Sequence, residues 1–324
     1  MSGNGGNVAV WSNDATTVYG SISAHGGATG GNGGYVETSG HYLDVSGAQI
    51  NLLSPYGITG TWLLDPADLT ICTSCTTNAS FSSNTYSPNG SNSNLLVSDL
   101  TTALASANVT VETSINGSGG NGDIFVNTPI TYNSTNNLTL SAYRNITVGQ
   151  STNASITNNN STGGVINLIA DNTGTGTGTV TFANSSTASA IGNVNIYYNP
   201  SSGTFATPNS SFYSGGTAPR AYMLILGLGN PTDTPSARTL GALSNPSNNS
   251  IWGYNFALAN NIDASATSSW NSGAGFSPIG SQNANAYFTG NFDGLNHTIS
   301  NLYINSAGSA PNEIGFFWGD CRWY

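Results

Sequence analysis

The sequence contains no lysine. Four arginines, Arg144, Arg220, Arg238 and Arg322, stand against 14 acidic residues in 324 positions, and charged residues make up 6% of the chain, where ordinary soluble domains carry about a quarter. The formal charge of −10 is spread thinly along the whole length. Without clustered cations the chain has no means of neutralising nucleic-acid phosphates or gripping an anionic membrane surface, so neither is expected as a partner. Solubility has to come from the amides and hydroxyls of Asn, Ser and Thr. Long apolar runs are missing as well. The longest, AYMLILGLG at 221–229, is far short of the roughly 20 residues that cross a bilayer, and no membrane insertion is expected. No basic segment followed by an apolar run opens the chain at Met1, so Met1 does not begin a secretory signal and a targeting segment is expected upstream, outside this sequence.

Cysteine is scarce. Three occur, and two of them, Cys72 and Cys75, lie in ICTSCT, a Thr/Ser-rich loop. A zinc site needs further ligands close by, and His25, His41 and His297 are remote in sequence. A thioredoxin-like motif needs a helix opening behind the pair, which TTNASFSSN does not offer. The pair reads as a small loop disulfide or as two inert thiols. Other chemical signatures are missing too. There is no GxSxG elbow between strand and helix, no Lys after a Gly-rich loop to form a phosphate cradle, and no Asp after the paired glycines, as calcium-binding nonapeptides require. No catalytic residue, metal or cofactor is assigned.

Aromatic residues, at 10%, and recurrent β-branched residues argue for a folded chain. Helical periodicity is nearly absent, while short alternating apolar pairs recur throughout. Val109 and Val111, Ile124 and Val126, Leu138 and Leu140, and Ile146 and Val148 each share one face of an extended segment. Ile166 and Leu168, Val180 and Phe182, and Val194 and Ile196 continue the series. Between the pairs lie Gly, Asn, Ser and Thr, which tolerate positive φ or bond to their own backbone at turns. The spacing is longer than a tight hairpin needs and too polar for crossover helices. An all-β, right-handed parallel β-helix is predicted, with asparagines stacking at the corners and irregular coils toward the C-terminus. A β-sandwich is the alternative all-β architecture.

GNGGNVAVW at 3–11 is echoed by GNGGYVETS at 31–39, and each is followed by a strand-like segment. In GGYVETSGHYLDVSGAQI, 33–50, the inward positions are predicted at Tyr35 or Val36 and at Leu43 and Val45. Glu37, His41 and Asp44 are left at turns or facing solvent, so the stretch reads as one rung of a scaffold.

The segments GNGGNVAVWSNDATTVYGSISAHGG, GGNGGYVETSGHYLDVSG and TWLLDPADLTI resemble the two-partner-secretion adhesins of Gram-negative bacteria, the filamentous-haemagglutinin-like and high-molecular-weight adhesin family. YNFALANNIDASATSSWNSGAGFSPIGS and AYFTGNFDGLNHTISNLYINS resemble the region leading into GLUG repeats. In the second of these, two strands are expected around a turn at Asp293 and Gly294, with Phe288, Phe292, Ile299, Leu302 and Ile304 as core. After IGFF the chain departs from that pattern with WGDCRWY, and a fragment of a larger protein is expected. Three segments follow: 1–71, the adhesin-like β-helical part ending at the WLLDP motif; 72–220, an Asn/Ser/Thr/Gly-rich solenoid; and 221–324, a GLUG-like β segment.

The resemblance implies a structural and adhesive stalk of an exported surface protein, extracellular or on the bacterial cell surface. Its expected partners are an outer-membrane transporter during export, engaged by a secretion domain that the resemblance places outside this sequence, and a host-cell or matrix receptor, glycan or protein. It also implies sugars on Asn-x-Ser/Thr sequons, at Asn78, Asn108, Asn116, Asn133, Asn137, Asn145, Asn153, Asn184 and Asn296. A β-helical carbohydrate-active enzyme or carbohydrate-binding module is the alternative, and a nonfunctional fragment is another. An enzyme cutting sugars needs two carboxylates facing each other across a bond, about 5 to 10 Å apart. In sequence the acids cluster only at Asp65 and Asp68, so the expectation is no enzyme.

Overall fold

The structure, a computed structural model, describes residues 2–75, 79–82, 85–88, 92–115, 120–200, 213–215, 220–280, 286–305 and 315–318. The chain forms two compact units. Residues 1–172, 178–196 and 209–220 belong to the first, and 173–177, 197–208 and 221–324 to the second.

The first unit is a parallel β-helix. Its elements run β1 (Asn7–Thr17), β2 (Ser21–Ser23), β3 (Tyr35–Asp44), β4 (Gln49–Asn51), β5 (Thr61–Asp65), β6 (Asp68–Cys72), β7 (Ala79–Ser82), β8 (Thr85–Pro88) and β9 (Asn92–Leu96). Then follow α1 (Val97–Leu104), β10 (Asn108–Glu112), β11 (Ile124–Val126), β12 (Ile130–Tyr132), β13 (Leu138–Ser141), β14 (Ile146–Val148) and β15 (Ile156–Asn158). The last are β16 (Ile166–Ile169), β17 (Val180–Phe182), β18 (Ala188–Ala190), β19 (Val194–Tyr198) and β20 (Tyr213–Gly215). Three faces result. The longest carries β1-β3-β5-β10-β13-β16-β19, the second β17-β14-β11-β6-β9, and the third β12-β15-β18-β20 with β2-β4 beside it. Val109, Leu138 and Ile166 are register partners on successive strands, which sets one coil at 28–29 residues.

Alternation explains the strands. In β5 Trp62 and Leu64 are fully buried while Leu63, between them, faces outward and is only half-buried. Register then stacks like on like: Val36, Trp62, Val109, Leu138 and Ile166 form one inward column, and Thr38, Leu64, Val111, Leu140 and Leu168 the next. Thr38 is the polar member, and it is satisfied because its Oγ1 accepts the Trp62 indole N–H at 3.0 Å. The apolar pairs anticipated in this unit are buried, except Val180 and Phe182. Those two lie on β17, the terminal strand of its sheet among the described residues.

Two features depart from the sequence expectation. The helix α1 packs against β4 and β12, at the place on the third face where another coil has a strand, and buries Leu100, Ala103 and Leu104. Its eight residues repeat the apolar pattern once, too short a run to stand out as helical periodicity. The antiparallel hairpin β7–β8 is inserted between β6 and β9.

The second unit, taken by itself, is also built from parallel-paired strands, in shorter pieces. β21 (Arg220–Ile225), α2 (Leu240–Ser244), β22 (Asn255–Leu258), β23 (Ile262–Asp263), β24 (Phe292–Asp293) and β25 (Ile299–Ser300) occur in that order, with β21-β22-β24 and β23-β25 paired in parallel. Thr239 caps α2 by accepting the Ala242 N–H at 3.1 Å. The expected turn at Asp293–Gly294 is present, with the Leu295 N–H donating to Asp293 Oδ1 at 2.8 Å and Leu295 and Asn296 in the left-handed region. Phe288 is buried in an aromatic cluster with Phe256 and Phe317, while Phe292, Ile299, Leu302 and Ile304 are half-buried. Among the described residues no helix is long and apolar enough to cross a membrane.

The columns predict a sharp contrast at adjacent positions. Trp62→Ala, which empties the inward column, is expected to cost about 3–5 kcal/mol, whereas Leu63→Thr on the outward side should change stability by no more than about 0.5 kcal/mol. Urea unfolding of the two variants checks this, and equal losses would refute the inward–outward assignment.

Candidate functional site

The outward face of the long sheet is read row by row from the register. One row runs Asn7, Tyr35, Thr61 and Asn108, and the next runs Ala9, Glu37, Leu63, Thr110, Thr139 and Asn167. In the third, Trp11 pairs with Ser39 and Ser39 with Asp65. Glu112 follows Val111, the partner of Leu64, so Glu112 and Asp65 are neighbours on β10 and β5, whose backbones are about 4.8 Å apart. Trp11 is 65% exposed and Tyr35 37%. Beside these rows a shallow cavity of about 400 Å³ is lined by Asn4, Asn7, Asn32, Tyr35, Ile58 and Thr61, among others.

Three carboxylates therefore share one face: Glu37, Asp65 and Glu112. Ser39 Oγ donates to Glu37 Oε1 at 2.7 Å, and Ser114 Oγ donates to Asp65 Oδ1 at 2.9 Å. Burial raises the Asp65 carboxyl above its ordinary range; the Ser114 bond lowers it in part and Glu37 raises it further. Burial also raises Glu112, followed by the charges of Asp65 and Glu37. Tyr35 is pushed up by burial and then by the same three acids. Sequence reading missed this group because Glu37 and Glu112 are far apart along the chain, and only the parallel register brings them together. The signal available was their shared outward place in the alternation.

Asp65 and Asp68, the acids adjacent in sequence, do not act as a pair. Asp68 is buried at a corner and accepts the N–H groups of Asn121 and Asp123, at 3.0 and 2.8 Å to Oδ1. Asp44, expected at a turn or in solvent, is likewise buried, and accepts Ser46 N–H at 3.0 Å, Ser46 Oγ at 2.6 Å and Tyr19 Oη at 3.1 Å. Among the described residues no three His, Cys, Asp or Glu converge as a metal-holding group. The sulfurs of Cys72 and Cys75 are bonded, with Cα atoms 5.9 Å apart, within the normal disulfide range.

The corners carry side-chain ladders. Asp68 Oδ1 accepts Asp123 N–H, Asp123 Oδ1 accepts Asn145 N–H at 3.0 Å, and Asn145 Oδ1 accepts Thr179 N–H at 3.0 Å. Arg144 clasps the same Asp123 through Nε, 2.9 Å, and a second guanidinium nitrogen, 2.5 Å. Another ladder climbs from Asn108 to Asn137 to Val165, at 2.9 and 2.8 Å, and another from Asn4 to Asn32 to Ile58, at 2.9 and 3.0 Å.

These ladders decide what the sequon asparagines are free to do. A sugar attaches at the amide nitrogen, and four of those nitrogens are committed. Asn108 Nδ2 donates to Thr59 O, Asn145 Nδ2 to Asp123 Oδ1, Asn153 Nδ2 to Ser185 O and Asn184 Nδ2 to Gly149 O. Asn133 and Asn137 are exposed and act as acceptors, from Asn160 Nδ2 and Val165 N–H, while Asn296 is exposed on its turn. Asn78 and Asn116 lie outside the described residues.

The acid row predicts a pH response. Asp65 and Glu112 hold protons more tightly folded than unfolded, so the folded chain takes up protons between the ordinary carboxylate range and their raised folded values. Their contribution to stability therefore grows as pH falls through that window and is lost as pH rises through it. Glu112→Gln is expected to stabilise the chain at pH 7, by up to about 1 kcal/mol for relief of like charges opposite each other, and to flatten the gain on acidification. Urea midpoints at pH 7 and pH 5 measure both effects, and a midpoint at pH 7 unchanged by the substitution would rule out the repulsion.

No family model matches the chain. Over 65 residues, 19% of this chain, the sequence is 43% identical to halomucin of Haloquadratum walsbyi. That stretch is 1% of halomucin, so the chain spans only a very small part of that relative's length.

Proposed function

We propose that this chain is a structural and adhesive stalk portion of an exported bacterial surface protein of the two-partner-secretion adhesin type. The observation that carries the reading is the parallel coil register of the first unit. Apolar columns and corner ladders repeat from coil to coil, a construction whose length grows by adding coils without enlarging the cross-section of the core. A chain with little charge and few cysteines suits passage through an outer-membrane transporter followed by folding outside. The local likeness to halomucin supports a surface or exported setting in coarse terms. Receptor contact, to a host glycan or protein, is assigned to the outward face bearing Trp11 and Tyr35, since exposed aromatic rings beside polar groups offer contact area at low entropic cost. N-linked sugars go to Asn133, Asn137 and Asn296 ahead of Asn108, Asn145, Asn153 and Asn184, whose amide nitrogens already donate.

The test is binding of the purified chain to host cells. Saturable binding that Trp11→Ala lowers several-fold is expected, and binding no greater than that of an inert protein of similar charge would overturn the adhesive reading. A second reading, a carbohydrate-active enzyme, is favoured by the Glu37–Asp65–Glu112 group. It requires that a screen of plant, bacterial and host polysaccharides release reducing ends, and that Asp65→Asn abolish the release. We expect no release from either protein.

A further inference from the structure

Three glycines of the first coil, Gly3, Gly6 and Gly20, have open space where a Cβ would sit and no positive φ. In the second and third coils the reason for glycine is plain. A Cβ on Gly34 would lie 2.1 Å from Gly6 O, and one on Gly60 would lie 2.0 Å from Gly34 O, each the backbone of the coil before it. A Cβ on Gly31 would meet Gly3 O at 2.0 Å, and one on Gly57 would meet Gly31 O at 2.4 Å. Register makes Gly6 the equivalent of Gly34 and Gly60, and Gly3 the equivalent of Gly31 and Gly57. Yet at Gly3 and Gly6 a Cβ would meet nothing within 4 Å, and neither residue has a positive φ. Glycine costs backbone entropy in an extended segment. Gly20 and Gly227 are open in the same way, but only Gly3 and Gly6 fall on coil positions whose equivalents are each held against a carbonyl of the preceding coil, and that equivalence points to a close neighbour there.

The same side of the coil is unfinished in two other respects. Val8, Val10 and Ile22 are half-buried, whereas their register partners Val36, Thr38 and Ile50 are buried. β1 is an eleven-residue edge strand; a bulge between Ser12 and Ala15, which holds its single charged residue Asp14, blunts its second half, and the regular stretch Asn7–Ser12 has no lysine, proline or charge to discourage pairing. The corner ladder reaches Asn4 and its geometry extends one step further, because a side-chain oxygen stacked beyond Asn4 would meet the Asn4 N–H as Asn4 Oδ1 meets that of Asn32.

We propose that the outer edge of the first coil, β1 with the Gly3–Gly6 corner, seats a further β-solenoid coil in parallel register. The backbone carbonyls of that coil lie over Gly3 and Gly6, its corner Asn or Asp accepts from the Asn4 N–H, and its apolar side chains close the columns over Val8, Val10 and Ile22. The inference concerns coil stacking alone, so it stands or falls separately from receptor binding.

The experiment adds such a coil and uses alanine to report its arrival. A tandem copy of residues 3–30 is fused directly ahead of Gly3 in the full chain, which reproduces the natural Gly30–Gly31 junction. In the unextended chain Gly6→Ala should leave the melting temperature within about 1 °C, whereas Gly34→Ala should lower it by about 4 °C or more through overpacking against a fixed carbonyl. In the extended chain Gly6→Ala should become as damaging as Gly34→Ala, and amides of residues 4–12 should exchange at least tenfold more slowly. Three results would overturn the proposal. Gly6→Ala could be harmless in the extended chain, the amides could gain no protection, or the unextended chain could already protect them by forming a concentration-dependent dimer, which would make a second copy the occupant.

Discussion

Strands in a parallel stack sit about 4.8 Å apart, and in this chain the register places equivalent residues of successive coils directly over one another. Within the paired strands a side chain therefore has its counterpart from the next coil as a near neighbour. For apolar residues the result is a column, such as Val36, Trp62, Val109, Leu138 and Ile166, in which each member is buried by the ones above and below. Burial of this kind needs no wide cross-section, and strands of three or four residues suffice.

The same rule sorts the polar residues by chemistry. An amide carries both an acceptor and donors, so asparagine stacked on asparagine or on backbone satisfies itself. Asn145 does both, accepting from Thr179 N–H and donating to Asp123. A carboxylate only accepts. Where it meets N–H groups, as Asp68 does at its corner, it serves as a cap; where it meets another carboxylate, as Asp65 meets Glu112, burial and like charge raise its proton affinity. A composition rich in Asn, Ser and Thr and poor in Asp, Glu and Lys is thus what a stacked register tolerates.

Much of this was legible in the sequence and part was not. The alternating pairs from Val109 to Ile196 gave strand faces directly, because inward and outward alternate within a few residues, and the echoed GNGG motifs hinted at a repeat. The helix α1 escaped because VSDLTTAL is too short to display a period. The carboxylate group escaped for a different reason. Placing Glu37 beside Asp65 and Asp65 beside Glu112 requires knowing the length of each coil, and the third coil is lengthened by the β7–β8 hairpin and α1, so a regular spacing misplaces everything after it. The sequons illustrate the opposite limit. Asn108, Asn145 and Asn184 match the motif, and only the structure reveals that their amide nitrogens are already donating.

Glycine records the geometry from the other side. A side chain is selected for what it touches, but glycine at Gly34 or Gly60 is selected for a backbone that passes too close for a Cβ. Such a position carries information about its neighbour even when the neighbour is not in view, since no intrinsic strand preference favours glycine and its entropy opposes it. Coil corners with Gly-Asn-Gly-Gly therefore specify two contacts at once, a close carbonyl and an amide ladder, and both are directional along the stack. Direction is what a stack of coils requires: each coil presents one surface to the coil before it and a different one to the coil after it, so growth proceeds by heterologous contacts that neither close into a ring nor demand symmetry.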